Sequence, residues 1–368
     1  MSQDADAIVI GAGIVGAACA HALACAGLDV LVLDDRRGGA TAAGMGHLVA
    51  MDDNPAELDL SRHSLTLWRE WSRQMAVDCA WHPCGTLWLA ANAEEMDAAR
   101  EKQDRLRASG VDCALITAQT LQGLEPALRA GLHGALQVPG DAVVYAPNAA
   151  RWLLASQPQR IRILETSVLA LEDHRVRTAM GATLQAPAVV LANGIHATQL
   201  CPELPIRPKK GHLLITDRYP GTVHHQLVEL GYVTSAHHST GPSVAFNVQP
   251  RPTGQLLIGS SRQFDDTSSA VDADMLARML ERALSYLPGL ADFNAIRSWT
   301  GLRAATPDSL PILGPHPSRP GLWLAVGHEG LGTTTAPASA QLLAAHITGC
   351  TPGIDPTPYL AQRFGALA

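Results

Sequence analysis

The sequence predicts a mixed α/β fold, in which a Rossmann-type domain is interleaved with a second domain built on a mixed or antiparallel sheet. The chain opens with a strand, a glycine-rich turn, a helix and a second strand, the pattern of a βαβ unit. Its later middle is rich in strands, whereas mixed α/β segments recur before that region and at the C-terminus. The two domains are therefore expected to alternate along the chain.

The predicted elements follow from hydrophobic periodicity and from turn residues. Strands are expected at residues 7–10, 30–33, 86–91, 161–164, 188–191, 212–216, 244–248, 255–259 and 322–325. Helices are expected at residues 14–26, 61–75, 94–109, 117–124, 147–155, 272–287 and 338–348. We assign residues 1–80, 142–205 and 298–368 to the Rossmann-type domain, and residues 81–141 and 206–297 to the second domain.

Composition narrows the class of protein. The 368 residues suffice for two cores, and 47% hydrophobic with 17% charged residues is typical of a packed globular chain. The net charge of -7, with no cluster of Lys or Arg, argues against nucleic-acid binding. The seven cysteines form no CxxC pair, so we expect no disulfide framework and no metal or iron–sulfur site.

The apolar segment 8–27 has regularly placed glycines and follows Asp4 and Asp6, so it predicts neither a secretion signal nor a membrane span. A cytoplasmic protein is expected, and attachment to the inner membrane surface through a partner stays open.

The first motif is the turn Gly11-Ala12-Gly13-Ile14-Val15-Gly16 between the first strand and the first helix. Its glycines permit a tight turn, approach of a pyrophosphate and close packing of helix on strand, and the helix N-terminus favours phosphate. Asp34, eighteen positions after Gly16, is placed to bind a ribose and disfavours NADP. The expected contacts to a dinucleotide are Gly11, Gly13, Ile14, Val15, Gly16, Asp34 and, as a solvated neighbour, Asp35.

A run of small residues follows the ribose acid. It would let a long cofactor approach the backbone, with Arg36 and Thr41 able to reach phosphate; a flexible surface loop is the alternative. The candidate contacts here are Arg36, Thr41, Ala42, Gly44, Met45, Gly46, His47 and Leu48.

These segments resemble the D-amino-acid oxidase and glycine oxidase superfamily of FAD enzymes. The resemblance extends in order over residues 8–16 with Asp34, 41–48, 189–194, 208–212, 301–314 and 327–334. Stretches 44–53, 210–220 and 244–264 are similar to bacterial D-hydroxyproline dehydrogenase flavin subunits, relatives of the D-amino acid dehydrogenases. The resemblance implies FAD, held noncovalently because residues 303–314 contain no cysteine. It adds as cofactor contacts Val168, Ala192, Asn193, Gly194, Arg303, Gly330, Leu331, Gly332, Thr333 and Thr334.

Oxidation of an amino acid needs an anchor for the substrate carboxylate, and a guanidinium suits it best. Arg303, expected just after a strand, stands where the family places its substrate-carboxylate arginine. An ion pair with Asp308 is the alternative. The turn 330–334 leads into a helix whose N-terminus would stabilise negative charge on reduced flavin, and a simple helix cap by Thr333 or Thr334 is compatible with that role.

Three other residues complete the candidate catalytic set. His47 and His328 lie in motif turns, where packing or hydrogen bonding is as good an explanation as catalysis. Asn247 stands where glycine oxidases carry a substrate-binding tyrosine, which leaves room for a bulkier substrate. The pairs His224-His225 and His237-His238 lack a nearby acidic partner, so no metal site is assigned to them.

The expected activity is oxidation of a small D-amino acid or cyclic secondary amine, such as D-hydroxyproline or D-proline, to its imine by hydride transfer to flavin N5. The alternatives are a glycine, sarcosine or hydroxy-acid oxidase, the flavin subunit of a hetero-oligomeric dehydrogenase, or an inactive FAD-binding subunit. The electron acceptor stays open among oxygen, a quinone and partner subunits.

Overall fold

The structure is a computed structural model that describes residues 5–172, 174–231, 241–264 and 266–365. The strands are β1 (Ala7–Ile10), β2 (Val30–Asp34), β3 (His47–Leu48), β4 (Thr86–Ala90), β5 (Ala114–Thr117), β6 (Gly134–Val138), β7 (Ala142–Val143), β8 (Ile161–Glu165), β9 (Val168–Glu172), β10 (Arg175–Thr178), β11 (Thr183–Gln185), β12 (Ala188–Leu191), β13 (Arg207–Arg218), β14 (Gln226–Glu229), β15 (Ser243–Pro250), β16 (Gln255–Phe264), β17 (Ala295–Ala305), β18 (Ile312–Pro315) and β19 (Leu322–Val326). The helices are α1 (Ile14–Cys25), α2 (Ala40–Ala43), α3 (Pro55–Ser72), α4 (Ala93–Ala108), α5 (Ala118–Leu124), α6 (Ala146–Ala155), α7 (Ala197–Leu200), α8 (Ala273–Leu284) and α9 (Gly332–Thr348).

The first sheet is built around the opening βαβ unit. Its strand order is β18-β19-β12-β1-β2-β8, parallel except for the edge strand β18. Ala7 and Val9 of β1 point into the core beside α1, whereas Ile8 and Ile10 point into a second core. Burial on both faces explains why β1 and β12 are apolar at every position. The second core is completed by a small sheet of β9, β10 and β11.

The second sheet has the order β17-β13-β16-β15-β14-β4-β6-β5, with β14 and β4 parallel and the other pairs antiparallel. Helix α8 packs on one face through Met279 and Ala283, beside the stacked rings of Phe246 and Tyr286. The opening βαβ unit and β12 thus belong to the six-stranded sheet, whereas the segments 208–212 and 301–305 lie on β13 and β17 of the eight-stranded sheet. Strand β17 crosses the boundary that we drew at residue 298 and lies in the eight-stranded sheet.

The predicted elements are present, but several ends differ. Helix α3 begins at Pro55 instead of residue 61, since Asn54 caps it by accepting the N–H of Glu57 at 2.9 Å. Helix α9 begins at Gly332 instead of residue 338 and contains Pro337. Strands β3, β5, β6, β7, β9, β10, β11, β14, β17 and β18 were not predicted. Among the described residues, no helix combines the length and the apolarity needed to cross a membrane.

Candidate active site

A large cavity of about 1130 Å³ runs from the glycine turn after β1 to the face of the eight-stranded sheet. All four candidate catalytic residues, Arg303, Asn247, His328 and His47, line it. The predicted cofactor contacts that line it are Gly11, Gly13, Ile14, Val15, Asp34, Asp35, Arg36, Thr41, Ala42, Gly44, Met45, Gly46, Val168, Ala192, Asn193, Gly194, Gly330, Leu331, Gly332 and Thr333. Gly16, Leu48 and Thr334 are the predicted contacts that do not.

Those three residues have structural partners instead. A Cβ on Gly16 would collide with the carbonyl oxygen of Gly11, so this glycine lets α1 start close to the turn. Leu48 is fully buried in the core beside α1. The Thr334 hydroxyl donates to the carbonyl oxygen of His47 at 2.9 Å. The side chains of Leu48 and Thr334 thus contact the protein, and their assignment as cofactor contacts stays a prediction.

The glycine turn is folded tightly against its neighbours. Gly11 has a φ of 105°, and a Cβ there would lie 2.6 Å from the carbonyl oxygen of Ala192. Asp34, the last residue of β2, accepts the N–H of Ala12 at 2.7 Å. Its carboxylate thus closes the turn as well as lining the cavity, which places it beside the start of α1 as a ribose-binding acid requires.

The loop after β2 is held in place instead of lying loose on the surface. Thr41 Oγ1 accepts the N–H of Ile14 at 2.9 Å, and Trp299 Nε1 donates to the carbonyl oxygen of Ala43 at 3.1 Å. A Cβ on Gly301 would collide with Ala43, so α2 packs directly on β17. The flexible-loop alternative is therefore wrong for residues 40–43.

Arg36 and Asp35 are engaged at the rim of the cavity. The Arg36 guanidinium contacts the Glu165 carboxylate at 2.9 Å, with both side chains largely exposed. Asp35 accepts the hydroxyl of Ser167 at 3.3 Å. Such exposed contacts contribute little stability, so Arg36 stays available to an anionic ligand.

The cavity fits a dinucleotide by three features of its wall. A Cβ on Gly13 would lie 3.0 Å from Thr41 Oγ1, so glycine at this position avoids a tight contact in the turn. The N-cap residue Gly13 has no side chain to cap α1, so that, apart from the N–H of Ile14 that Thr41 accepts, the start of this helix favours an anion in the cavity. Asn193 Oδ1 is buried in the lining without a hydrogen-bond partner, as expected of a group that awaits a ligand.

Arg303 lies within β17, not after a strand as predicted. Its guanidinium packs on the backbone of Gly211 in β13, where a Cβ would be 2.5 Å from Nη2 and 2.7 Å from Nη1. Nη1 donates to the carbonyl oxygen of Ser261 at 3.1 Å. Asp308 instead accepts from Arg363 Nε at 2.6 Å, so the alternative of an Arg303–Asp308 ion pair is wrong. Burial lowers the pKa of Arg303, and the negative charge of Glu329 opposes that shift.

Sequence reasoning did not single out the other charged groups near Arg303. Lys209, opposite Arg303 on β13, forms a buried ion pair with Glu329, and Arg262 of β16 also lines the cavity. Burial raises the pKa of Glu329, but Lys209 and the two arginines lower it more, so this carboxyl is ionised. One carboxylate therefore lies among three cations, an arrangement that favours an anionic substrate group. The sequence signal that could have revealed this group is the presence of charged residues on otherwise apolar strands.

His47 and Asn247 contact each other at the second predicted site. Asn247 Nδ2 lies 3.0 Å from His47 Nε2, and Gln226 Oε1 lies 2.6 Å from His47 Nδ1. Burial lowers the pKa of His47 to about 4, and the positive charges of Arg251 and Arg303 add to this effect. His47 is therefore neutral near neutral pH and serves as a hydrogen-bonding group, not as a cation.

His328 is also neutral. Burial lowers its pKa to about 3, and its Nε2 lies 3.1 Å from Ser339 Oγ. A Cβ on Gly332 would be 3.3 Å from His328 Cβ, so this ring packs against the start of α9.

The start of α9 forms one end of the cavity. Gly330, Leu331, Gly332 and Thr333 line it, and no side chain caps this helix. Capping by Thr333 or Thr334 is therefore wrong. Trp68 Nε1 lies 3.0 Å from the carbonyl oxygens of both threonines and fixes the first turn. A 17-residue helix directed at the cavity supplies partial positive charge to it.

Two groups outside the cavity bear on metal binding. Glu125 accepts from His225 at 2.7 Å, so the view that this histidine pair lacks an acidic partner is wrong; His237-His238 lie outside the described residues. Cys201, Glu203 and His316 lie within ligand distance of one another, but the Arg319 guanidinium is 3.1 Å from Cys201 Sγ and opposes a cation there.

Comparisons with known proteins agree with this geometry. The family model described as FAD dependent oxidoreductase (DAO) matches residues 6–346. Glycine oxidase of Pseudomonas aeruginosa is 28% identical over 375 aligned positions, covering 96% of this chain and 97% of that protein. Hydrogen cyanide synthase subunit HcnC of the same species is 26% identical, covering 99% and 97%. The crystal structure of glycine oxidase from Geobacillus kaustophilus has a TM-score of 0.87 at 26% identity, covering 98% of this chain and 99% of that one.

The family match spans nearly the whole chain, and the glycine turn, the acid after β2 and the open helix starts stand in one cavity. The cofactor is FAD, and the reaction is oxidation of an amine or amino acid. The chain belongs to the DAO family of FAD-dependent oxidoreductases.

Proposed function

We propose that this chain oxidises a small α-amino acid at its amine-bearing carbon, with Arg303 binding the substrate carboxylate. The observation that carries the proposal is the Arg303 guanidinium, which lines the cavity from β17 without a directly bonded carboxylate partner among the described residues. A planar guanidinium binds a carboxylate at two points and so fixes the position of the adjacent carbon.

The cofactor side of the cavity is assigned by donor chemistry. Asp34 would accept from the adenosine ribose, the turn Gly11–Gly16 and the start of α1 would hold the pyrophosphate, and the start of α9 would face the flavin. FAD supplies the two-electron acceptor, and the protein contributes binding, orientation and electrostatics. The positive end of α9 would stabilise the negative charge that a reduced flavin gathers.

The neutral histidines limit the protein's part in proton transfer. Since burial lowers the pKa of His47 to about 4 and of His328 to about 3, both rings are neutral and only weakly basic near neutral pH. Neither histidine is therefore a strong acceptor for the proton that the substrate amine loses before hydride departure. Placement of the Cα–H by Arg303 is the main catalytic contribution, as expected for orientation-driven rate enhancement.

The comparisons support a glycine- or sarcosine-type substrate better than the D-hydroxyproline expected from the sequence, since the full-length relatives include two named glycine oxidase. D-Proline and D-hydroxyproline form a second candidate class. The observation that favours them is Asn247, which is shorter than the tyrosine that glycine oxidases carry in this place and leaves room for a ring.

We also propose that the chain can act as one subunit of a hetero-oligomer. This proposal is supported by a relative, matched over 97% of its own length, whose name describes it as a subunit of hydrogen cyanide synthase. The electron acceptor is then oxygen, a quinone or a partner subunit.

The direct test is anaerobic mixing of the purified yellow protein with glycine, with sarcosine and with the D- and L-forms of proline and hydroxyproline, followed by measurement of flavin absorbance. We expect bleaching by at least one of these amino acids and slow or no bleaching by the same amine without its carboxylate. Equal bleaching by carboxylate-free amines would contradict the role of Arg303.

A further inference from the structure

A chain of hydrogen bonds runs from a backbone carbonyl to the cavity wall through Gln226. This glutamine is fully buried in β14. Its Nε2 donates to the carbonyl oxygen of Ala142 at 2.9 Å and approaches Thr86 Oγ1 at 3.3 Å. A backbone carbonyl can only accept, so the amide of Gln226 has a fixed orientation, with Oε1 directed the other way.

That orientation determines the tautomer of His47. Gln226 Oε1 is 2.6 Å from His47 Nδ1, and an oxygen acceptor at this distance requires a proton on the nitrogen. Gln249 Nε2 is 2.9 Å from the same nitrogen and 3.5 Å from Gln226 Oε1. Because His47 Nδ1 already carries a proton, Gln249 Nε2 can donate only to Gln226 Oε1. The neutral ring therefore carries its proton on Nδ1 and presents a lone pair on Nε2.

The lone pair on His47 Nε2 then orients Asn247. Asn247 Nδ2 is 3.0 Å away and donates to it, which excludes the flipped amide. Asn247 Oδ1 is buried without a hydrogen-bond partner, so no other contact of the side-chain oxygen holds the amide in this orientation. An amide NH₂ has two hydrogens, and one serves His47. The second hydrogen is also on Asn247, which is half-buried and lines the cavity. Asn247 contacts the His47 ring, whose pKa is lowered in part by the charge of Arg303.

We propose that Gln226 is a positioning residue for substrate binding: by holding His47 as the Nδ1–H tautomer, it makes Asn247 an N–H donor to the substrate carboxylate beside Arg303. This inference rests on the proposed function, because it assigns the carboxylate to the same end of the cavity. It adds a specificity element, Gln226, that is linked to the substrate through three hydrogen bonds and that touches neither substrate nor cofactor.

The proposal is tested by carboxylate binding and by the tautomer itself, neither of which needs turnover. Acetate serves as the probe, and its Kd is measured from the change in flavin absorbance of the FAD-loaded protein. Gln226→Leu keeps the volume but removes the amide, so we expect the acetate Kd to rise about tenfold, the effect of one hydrogen bond to a charged group. Gln249→Leu is the matched control, since Gln249 contacts the same ring but does not set its tautomer; its acetate Kd should stay within about twofold of the wild type.

The second measurement is ¹⁵N NMR of the histidine-labelled wild-type protein, with His47→Asn used to assign the signal. We expect His47 as the Nδ1–H tautomer, which needs no variant that could fail to fold. An Nε2–H tautomer, an unchanged acetate Kd in Gln226→Leu, or an equal loss in Gln249→Leu would each overturn the proposal. If the NMR and acetate results hold but no amino acid bleaches the flavin, the proposed function fails while the positioning role of Gln226 stands.

Discussion

Replacing Gly211 with alanine should displace the Arg303 guanidinium while leaving the fold intact. The new Cβ would lie 2.5 Å from Nη2 and 2.7 Å from both Cζ and Nη1. Since the optimal separation of nonbonded heavy atoms is about 3.5 Å, the guanidinium must move away from the new Cβ by about 1 Å. It is the far end of a flexible side chain, so the backbone of β13 need not move, and alanine is itself favoured over glycine in a strand by about 0.5–1 kcal/mol.

The expected functional effect is large because the carboxylate fork would be misplaced. A misplacement of about 1 Å can cost ~10²-fold in rate, so anaerobic flavin reduction by the preferred amino acid should slow by about two orders of magnitude. FAD content and melting temperature should remain near the wild type. Gly289→Ala is the control, since no heavy atom lies within 4 Å of its Cβ. Wild-type reduction by Gly211→Ala would refute the reasoning that this guanidinium binds the substrate.

Three further predictions concern the cofactor site, pH and the ion pairs. Asp34→Asn should weaken FAD retention by about 1–3 kcal/mol, measured by equilibrium dialysis, and unchanged affinity would mean that Asp34 is not the ribose ligand. Because the pKa of His328 is lowered to about 3, the unfolded chain binds a proton that the folded chain does not, so stability should fall as the pH drops from about 6.5. The free energy of unfolding, measured in urea at pH 7 and at pH 5, should fall less in His328→Asn than in the wild type, and the two falls should differ by at most about 1.4 kcal/mol per pH unit. An equal fall in both proteins would contradict the burial argument. Lys102→Met removes a buried partner of Asp52 and should destabilise the fold by about 3 kcal/mol in urea unfolding, although Arg105 still contacts that carboxylate at 2.8 Å; a loss below about 1 kcal/mol would show that Arg105 suffices.

The cofactor end of the cavity could be predicted because its determinants are local in sequence. The glycine turn, helix α1 and Asp34 lie within one βαβ unit, so their spacing already encodes their geometry. The start of α9 is also local in sequence, but Pro337 lies inside this helix. Because proline is disfavoured in a helix interior, the helix was predicted to begin at residue 338.

The substrate end could be predicted only in part, because its contacts join distant strands. Gln226 and Asn247 reach His47 across 179 and 200 positions, and no spacing rule links them. Glu125 reaches His225 across 100 positions and was missed for the same reason. The position of Arg303 within β17 was also missed, since the strand alternates imperfectly and runs on from residue 295.

The proposed identity of the substrate anchor is tested most directly by anaerobic stopped-flow reduction of Arg303→Lys. Lysine keeps the positive charge but loses the planar two-point fork, so reduction by glycine, sarcosine or D-proline should slow by about two orders of magnitude or more. FAD content should stay near normal, and a carboxylate-free amine should lose little further rate. Reduction of the Arg303→Lys flavin at the wild-type rate by these amino acids would contradict the account.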